Sequence, residues 1–142
     1  WSSTHGRNES DYLYAVTGDQ DGGFVAVGRS TALEGQAQAF VIRIAEDGDE
    51  IWSEYYDYDG FSDVSILDSG GFLVCSGRYI VGIDALGEVL WEVTVPDTGV
   101  KYASRALQID ENSVLFLGFG YPTDESGIIS EWYQAYLTIL AI

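Results

Sequence analysis

One cysteine, one histidine and one lysine occur in this 142-residue chain, and only six cationic side chains stand against 23 carboxylic acids. The lone thiol, Cys75, excludes an internal disulfide and leaves the redox compartment open. A formal charge of −17 makes nucleic acid and anionic membrane surfaces poor partners. The longest apolar stretches, 114–119 and 135–142, are broken by Gly118 and Thr138 and fall short of the roughly 20 residues that span a bilayer, so no membrane insertion is expected. The single histidine, His5, sits in a polar N-terminal segment, a poor foundation for a Ser-His-Asp triad or a histidine metal site. Carboxylate pairs for glycoside cleavage can be drawn almost anywhere among 23 acids and therefore single out none. No enzymatic activity is expected.

What is present argues for folding. Hydrophobic residues make up 46% and aromatics 14%, too much apolar material for a disordered acidic tail, and the length suits one compact domain, residues 1–142. The lysine scarcity resembles chains from salty surroundings or secreted proteins, so the expected location is extracellular or at the cell surface. Self-association between such acidic chains weakens at low salt. The start at Trp1 is read as a processed precursor or a piece of a longer protein.

Three segments repeat one order of events. In the first, an alternating stretch at 12–16 leads to Asp21-Gly22-Gly23, then to apolar runs at 24–29 and 40–44, a turn at Asp47-Gly48, and Ile51-Trp52-Ser53. The second has 64–67, the turn Asp68-Ser69-Gly70-Gly71, runs at 72–77 and 79–83, then Leu86-Gly87 and Val89-Leu90-Trp91-Glu92. Gly22 and Gly70 are 48 residues apart, and Trp52 and Trp91 are 39 apart. The third has 106–109, the turn Asp110-Glu111-Asn112-Ser113, a run at 114–118, a long loop, and 133–139. β-Branched and aromatic enrichment, alternation and Gly, Asp or Asn at the breaks mark these runs as strands. Four strands in about 40–48 residues is the period of a β-propeller blade.

The stretch YIVGIDALGEVLWEVTV at 79–95 resembles the repeat of quinoprotein-type (PQQ-like) β-propellers, in which an aliphatic strand, a D-x-x-G turn and a blade-end tryptophan recur. DGGFVAVGRS, followed by AFVIRIAEDGDEIWSEYY, resembles the D-G-G-[FY] … D-G-x-x-x-W repeats of secreted bacterial and archaeal propellers. The resemblance implies an all-β propeller-type array of three four-stranded antiparallel blades at about 11–58, 61–97 and 102–142. It does not carry the quinone cofactor over, because catalytic members need calcium ligands and often a vicinal cysteine pair, and this chain has one cysteine.

The third repeat ends at Ile142, before its fourth strand, while Trp1-Ser2-Ser3 reads like Trp52-Ser53-Glu54 with nothing before it. Residues 1–10 are therefore expected to act as a closing strand, from the same chain or from a neighbour, along an edge carrying Tyr136, Leu137, Ile139 and Ile142. Three blades are fewer than the usual ring, so exchange between two chains gives a six-bladed ring or, if the rotation does not close, a filament. A fragment of a larger propeller is the alternative.

Asp19-x-Asp21-Gly22 and Asp57-x-Asp59-Gly60, with Asp63 beyond, place carboxylates at the alternate spacing of calcium loops. Asp-Gly is also the commonest strand turn, and neither stretch has the bidentate Glu of an EF-hand. Tyr55, Tyr56, Tyr58 and Phe61 mix flat faces with neighbouring acids as glycan or peptide sites do, although alternation sends Tyr55 and Tyr56 to opposite faces. Trp52 and Trp91 are read as packing between blades, and Cys75 as a small buried hydrophobe. Asn8-Glu9-Ser10 fits a glycosylation sequon, and Trp132 borders the 121–130 loop without an assigned role. Two functions compete: a structural protein assembled by strand exchange, and a glycan- or peptide-binding module contacting ligand through 55–61 or the 120–132 loop. A quinone-dependent dehydrogenase domain is a third reading.

Overall fold

The computed structural model describes residues 2, 4–6, 10–31, 35–95, 100–121 and 134–142. Among them every regular element is a β-strand: β1 (Ser10–Gly18), β2 (Phe24–Thr31), β3 (Ala37–Ile44), β4 (Glu50–Tyr56), β5 (Asp63–Ile66), β6 (Phe72–Ser76), β7 (Tyr79–Ile83), β8 (Val89–Thr94), β9 (Val100–Asp110), β10 (Ser113–Gly120) and β11 (Gln134–Ala141). They form three antiparallel meanders, β1-β2-β3-β4, β5-β6-β7-β8 and β9-β10-β11. The 4, 4 and 3 strands are those expected from the repeat. No helix among the described residues is long and apolar enough to cross a membrane.

The turns explain the repetition. Gly22 and Gly70 hold φ of 87° and 88° at the same place in the first two sheets, a left-handed conformation that a side chain disfavours. The Asp19 carboxylate caps its turn, accepting the Asp21 N–H at 2.7 Å and the Gly23 N–H at 3.1 Å. Asp84 does the same for Leu86 and Glu88 at 2.8 and 2.9 Å. These aspartates are turn residues by this geometry.

The sheets stack face to face, with the first strands β1, β5 and β9 side by side. Val25, Val27, Ala39 and Val41 of the first sheet pack onto Val64, Phe72, Val74, Val81 and Ile83 of the second. The opposite face of the second sheet, with Leu73, Cys75 and Ile80, packs onto Ala103, Ala106, Val114 and Phe116 of the third. Ser65 Oγ donates to the Ala106 carbonyl at 2.9 Å and the Asp68 N–H to Gln108 Oε1 at 2.8 Å, fastening β5 and the turn after it to β9.

Both repeat tryptophans face the sheet that follows. Trp52 leans on the first junction, its indole N–H donating to the Ala85 carbonyl at 3.0 Å. Arg43 Nη1 donates to the same carbonyl at 3.1 Å, and Tyr56 Oη to the Gly87 carbonyl at 2.7 Å. Trp91 leans on the second junction and covers Gly82, where an added Cβ would lie 2.3 Å from the ring.

Candidate functional site

Two features stand apart from ordinary packing. The first is the outer face and edge of the third sheet. Along β10, Val114, Phe116 and Gly118 turn inward, and alternation turns Leu115, Leu117 and Phe119 outward. Register places Ile139 beside Leu115 and Leu137 beside Leu117 on β11. This face is open: Leu137 is 69% and Ile139 64% exposed, with Leu107, Leu117 and Phe119 also exposed. Tyr136, Leu140 and Ile142 point the other way, into the second junction. The equivalent faces of the first two sheets are covered by the next sheet. No described strand pairs with the far edge of β11.

The second is a cleft of about 820 Å³ between the first two sheets and the start of β9. Its floor is the 57–62 connection, stapled to both sheets: the Phe61 N–H donates to the Gly28 carbonyl at 2.9 Å and the Ser62 N–H to the Cys75 carbonyl at 2.8 Å. Tyr14 reaches the cleft from β1, at a register shift between Leu13 and Ala15 that makes it the extra residue of a bulge. Tyr58 and Tyr79 supply further rings, with Tyr58 5.7 Å from Tyr79 and 5.3 Å from Phe61, while Tyr102 borders the cleft with its ring stacked on Phe119 at 5.3 Å. Tyr58 Oη donates to Glu92 Oε2 at 2.5 Å. Burial first, then that hydrogen bond and the nearby negative charge of Glu92, push the Tyr58 phenol well above its usual range, so it stays protonated. Arg29 pairs loosely with Asp59 at 3.7 Å, and Arg78 Nη2 donates to the Val95 carbonyl at 3.2 Å.

The carboxylates proposed from spacing alone are dispersed. Asp19 and Asp21 close on Arg43, whose Nε donates to Asp19 Oδ2 at 2.8 Å and Nη2 to Asp21 Oδ2 at 2.6 Å. Burial works against the Asp19 charge, but the Arg43 hydrogen bond and the turn amides outweigh it and hold the carboxyl below its usual value. Asp57 and Asp59 rim the cleft, and Asp63 is buried in β5, 3.3 Å from Arg105 Nε. No group of three His, Cys, Asp or Glu among the described residues is arranged to hold a metal.

The aromatic cluster divides as alternation requires. Tyr55 stacks on Phe40 at 4.8 Å, on the face with Ala26, Ile42 and Ile44, while Tyr56 packs into the first junction. Only Tyr58 and Phe61 of the four line the larger cleft. Of the N-terminal segment, His5 lies 3.2 Å from Glu50, and the described residues 2 and 4–6 are not in a strand. Trp1, Ser3, Asn8 and Trp132, with most of the 120–132 loop, lie outside the described residues. Cys75 is 1% exposed and its thiol is pushed up to about 12, by burial and by the charge of Asp63. Sequence reasoning missed Tyr14, Arg29, Arg78, Tyr79 and Tyr102. Only chain crossings bring these five together, and no local motif marks them.

No family model matches the chain, and no curated protein matches its sequence. A crystal structure of a protein of unknown function from Bacteroides caccae is similar, with a TM-score of 0.51 over 93% of this chain and 72% of that one, at 11% identity. At that identity the likeness shows fold alone.

Proposed function

We propose that the chain is a β-propeller-type array of the quinoprotein-like repeat class, non-enzymatic and extracellular, whose work is assembly through the open edge of its third sheet. The supporting observation is the 69% exposure of Leu137 and 64% of Ile139 beside an edge with no described partner strand. An unpaired edge next to an apolar face is a template for strand addition.

The repeat register supports a tryptophan on the added strand. Trp52 pairs with Arg43 on β3, and Trp91 with Gly82 on β7. Each partner immediately precedes the residue, Ile44 or Ile83, that pairs with the first residue of the sheet's second strand, Phe24 or Phe72. Counted from Val114, the first apolar residue after the third turn, the β11 equivalent of Ile44 and Ile83 is Leu140, and that of Arg43 and Gly82 is Ile139. A tryptophan placed across from Ile139 lies on the exposed outer face, beside Ile139 and Leu137, in the register that Trp52 and Trp91 hold in the first two sheets. Trp1 of a second copy, within 1–10, supplies that residue, and the exchange yields a ring or a filament.

Light scattering after size exclusion, at moderate and high salt, tests this reading. Dimers or longer polymers that grow with salt and vanish on deletion of residues 1–10 agree with it. A folded monomer at all salts contradicts it.

A further inference from the structure

We propose that the cleft between the first two sheets binds a neutral oligosaccharide, with pyranose rings against its tyrosines and paired hydroxyls on Arg29 and Asp59. At about 820 Å³ it lies within the range of small-ligand sites. A second hollow of about 410 Å³ shares Asp57, Tyr58 and Tyr79 with it.

Three features select this chemistry. First, Tyr14 and Tyr79 are 55% and 40% exposed, so core packing does not account for their convergence with Tyr58. The bulge at Tyr14 adds a residue to β1 where the ring meets the cleft, the kind of local device that re-aims a side chain at a site. Aromatic faces edged by a polar tip match the apolar faces and hydroxyl rims of sugar rings.

Second, the polar groups come as donor and acceptor side by side. Arg29 and Asp59 are 3.7 Å apart, with side chains 41% and 88% exposed, a pair loose enough to admit a hydroxyl on each member. A guanidinium offers only donors and a carboxylate only acceptors, and neighbouring sugar hydroxyls satisfy both. Arg78 is steadied by the Val95 carbonyl.

Third, charge argues against an acidic ligand. Arg29 and Arg78 are matched by Asp59 and Asp57 along the cleft, so no local excess of positive charge offsets the −17 of the whole chain, a field that repels polyanions. The proposal is independent of strand exchange, because the cleft lies at the first junction and the open edge on the third sheet.

The test is calorimetric and amide-NMR titration of the 142-residue chain with hexaoses of glucose, xylose, mannose and N-acetylglucosamine, and with hexagalacturonate as the acidic control. At least one neutral hexaose is expected to bind, shifting amides around 57–62 and 77–79, with affinity changing less than about twofold between low and high salt. Tyr79→Ala, at an exposed position, and Arg29→Ala, at a half-buried one, are each expected to weaken binding by about tenfold or more while the remaining amide spectrum stays native. Three results overturn the proposal: no neutral hexaose binding at millimolar concentration, hexagalacturonate binding more tightly than every neutral one, or affinity unchanged in Tyr79→Ala.

Discussion

The Trp52 indole N–H reaches across the first junction to the Ala85 carbonyl, 3.0 Å away, in the turn between β7 and β8. One side chain thereby both fills the junction and fixes its rotation. Trp52→Phe retains most of the ring area and loses the hydrogen bond, an expected cost of about 1 kcal/mol. Trp52→Ala also loses the packing against Phe72, 6.5 Å away between ring centres, for about 3 kcal/mol in all. Urea unfolding followed by fluorescence and circular dichroism gives both values.

Gly82 leaves room for the Trp91 ring, and a Cβ there would lie 2.3 Å from the indole. Gly82→Ala is expected to lift the ring and cost about 1–3 kcal/mol, the range for overpacking. Trp91→Leu in the same background is expected to recover part of the loss, a coupling that a double-mutant cycle in urea measures.

Arg43 and Asp19 form a buried pair, with side chains 11% and 2% exposed. The Asp19 carboxyl titrates lower folded than unfolded, so its contribution is fully present above about pH 4 and is lost as pH falls through the folded value. Asp19→Asn is expected to lower stability by about 2 kcal/mol at pH 7 and to narrow the gap from wild type below pH 3. Urea midpoints between pH 7 and about pH 2 check both the size and the sign.

Cys75, pushed up to about 12 and 1% exposed, is expected to resist iodoacetamide at pH 8 in the folded chain and to react readily in urea. Mass spectrometry of timed samples reads the difference. Rapid modification of the native chain would contradict the buried placement at the second junction.

The strand order was legible because turn chemistry and apolar alternation coincide: Asp21-Gly22-Gly23 and Asp68-Ser69-Gly70-Gly71 each precede a Phe that opens a strand. The roles of Trp52 and Trp91 were legible from their repeat position. β9 was less so. Its first half, before Ala106, pairs with β10 through register shifts near Gly118 and Gly120, and bulges break the alternation that marks a strand. The cleft was illegible for a related reason, since Tyr14, Tyr58 and Tyr79 meet only through strand crossing and one bulge. Asp19-x-Asp21 suggested a cation loop because spacing does not reveal Arg43, which antiparallel pairing of β2 and β3 brings beside the turn.

A mixed disulfide between residues 1 and 139 reports on strand exchange at the third sheet. Trp1→Cys and Ile139→Cys chains, prepared separately, mixed and oxidised mildly, carry one new thiol each, while Cys75 is buried and inert. Exchange is expected to give a covalent heterodimer linking residues 1 and 139 between chains, in excess over either homodimer, because residues facing each other across adjacent strands lie within disulfide reach. Absence of that crosslink, or its formation no more often than either homodimer, rules out exchange between copies.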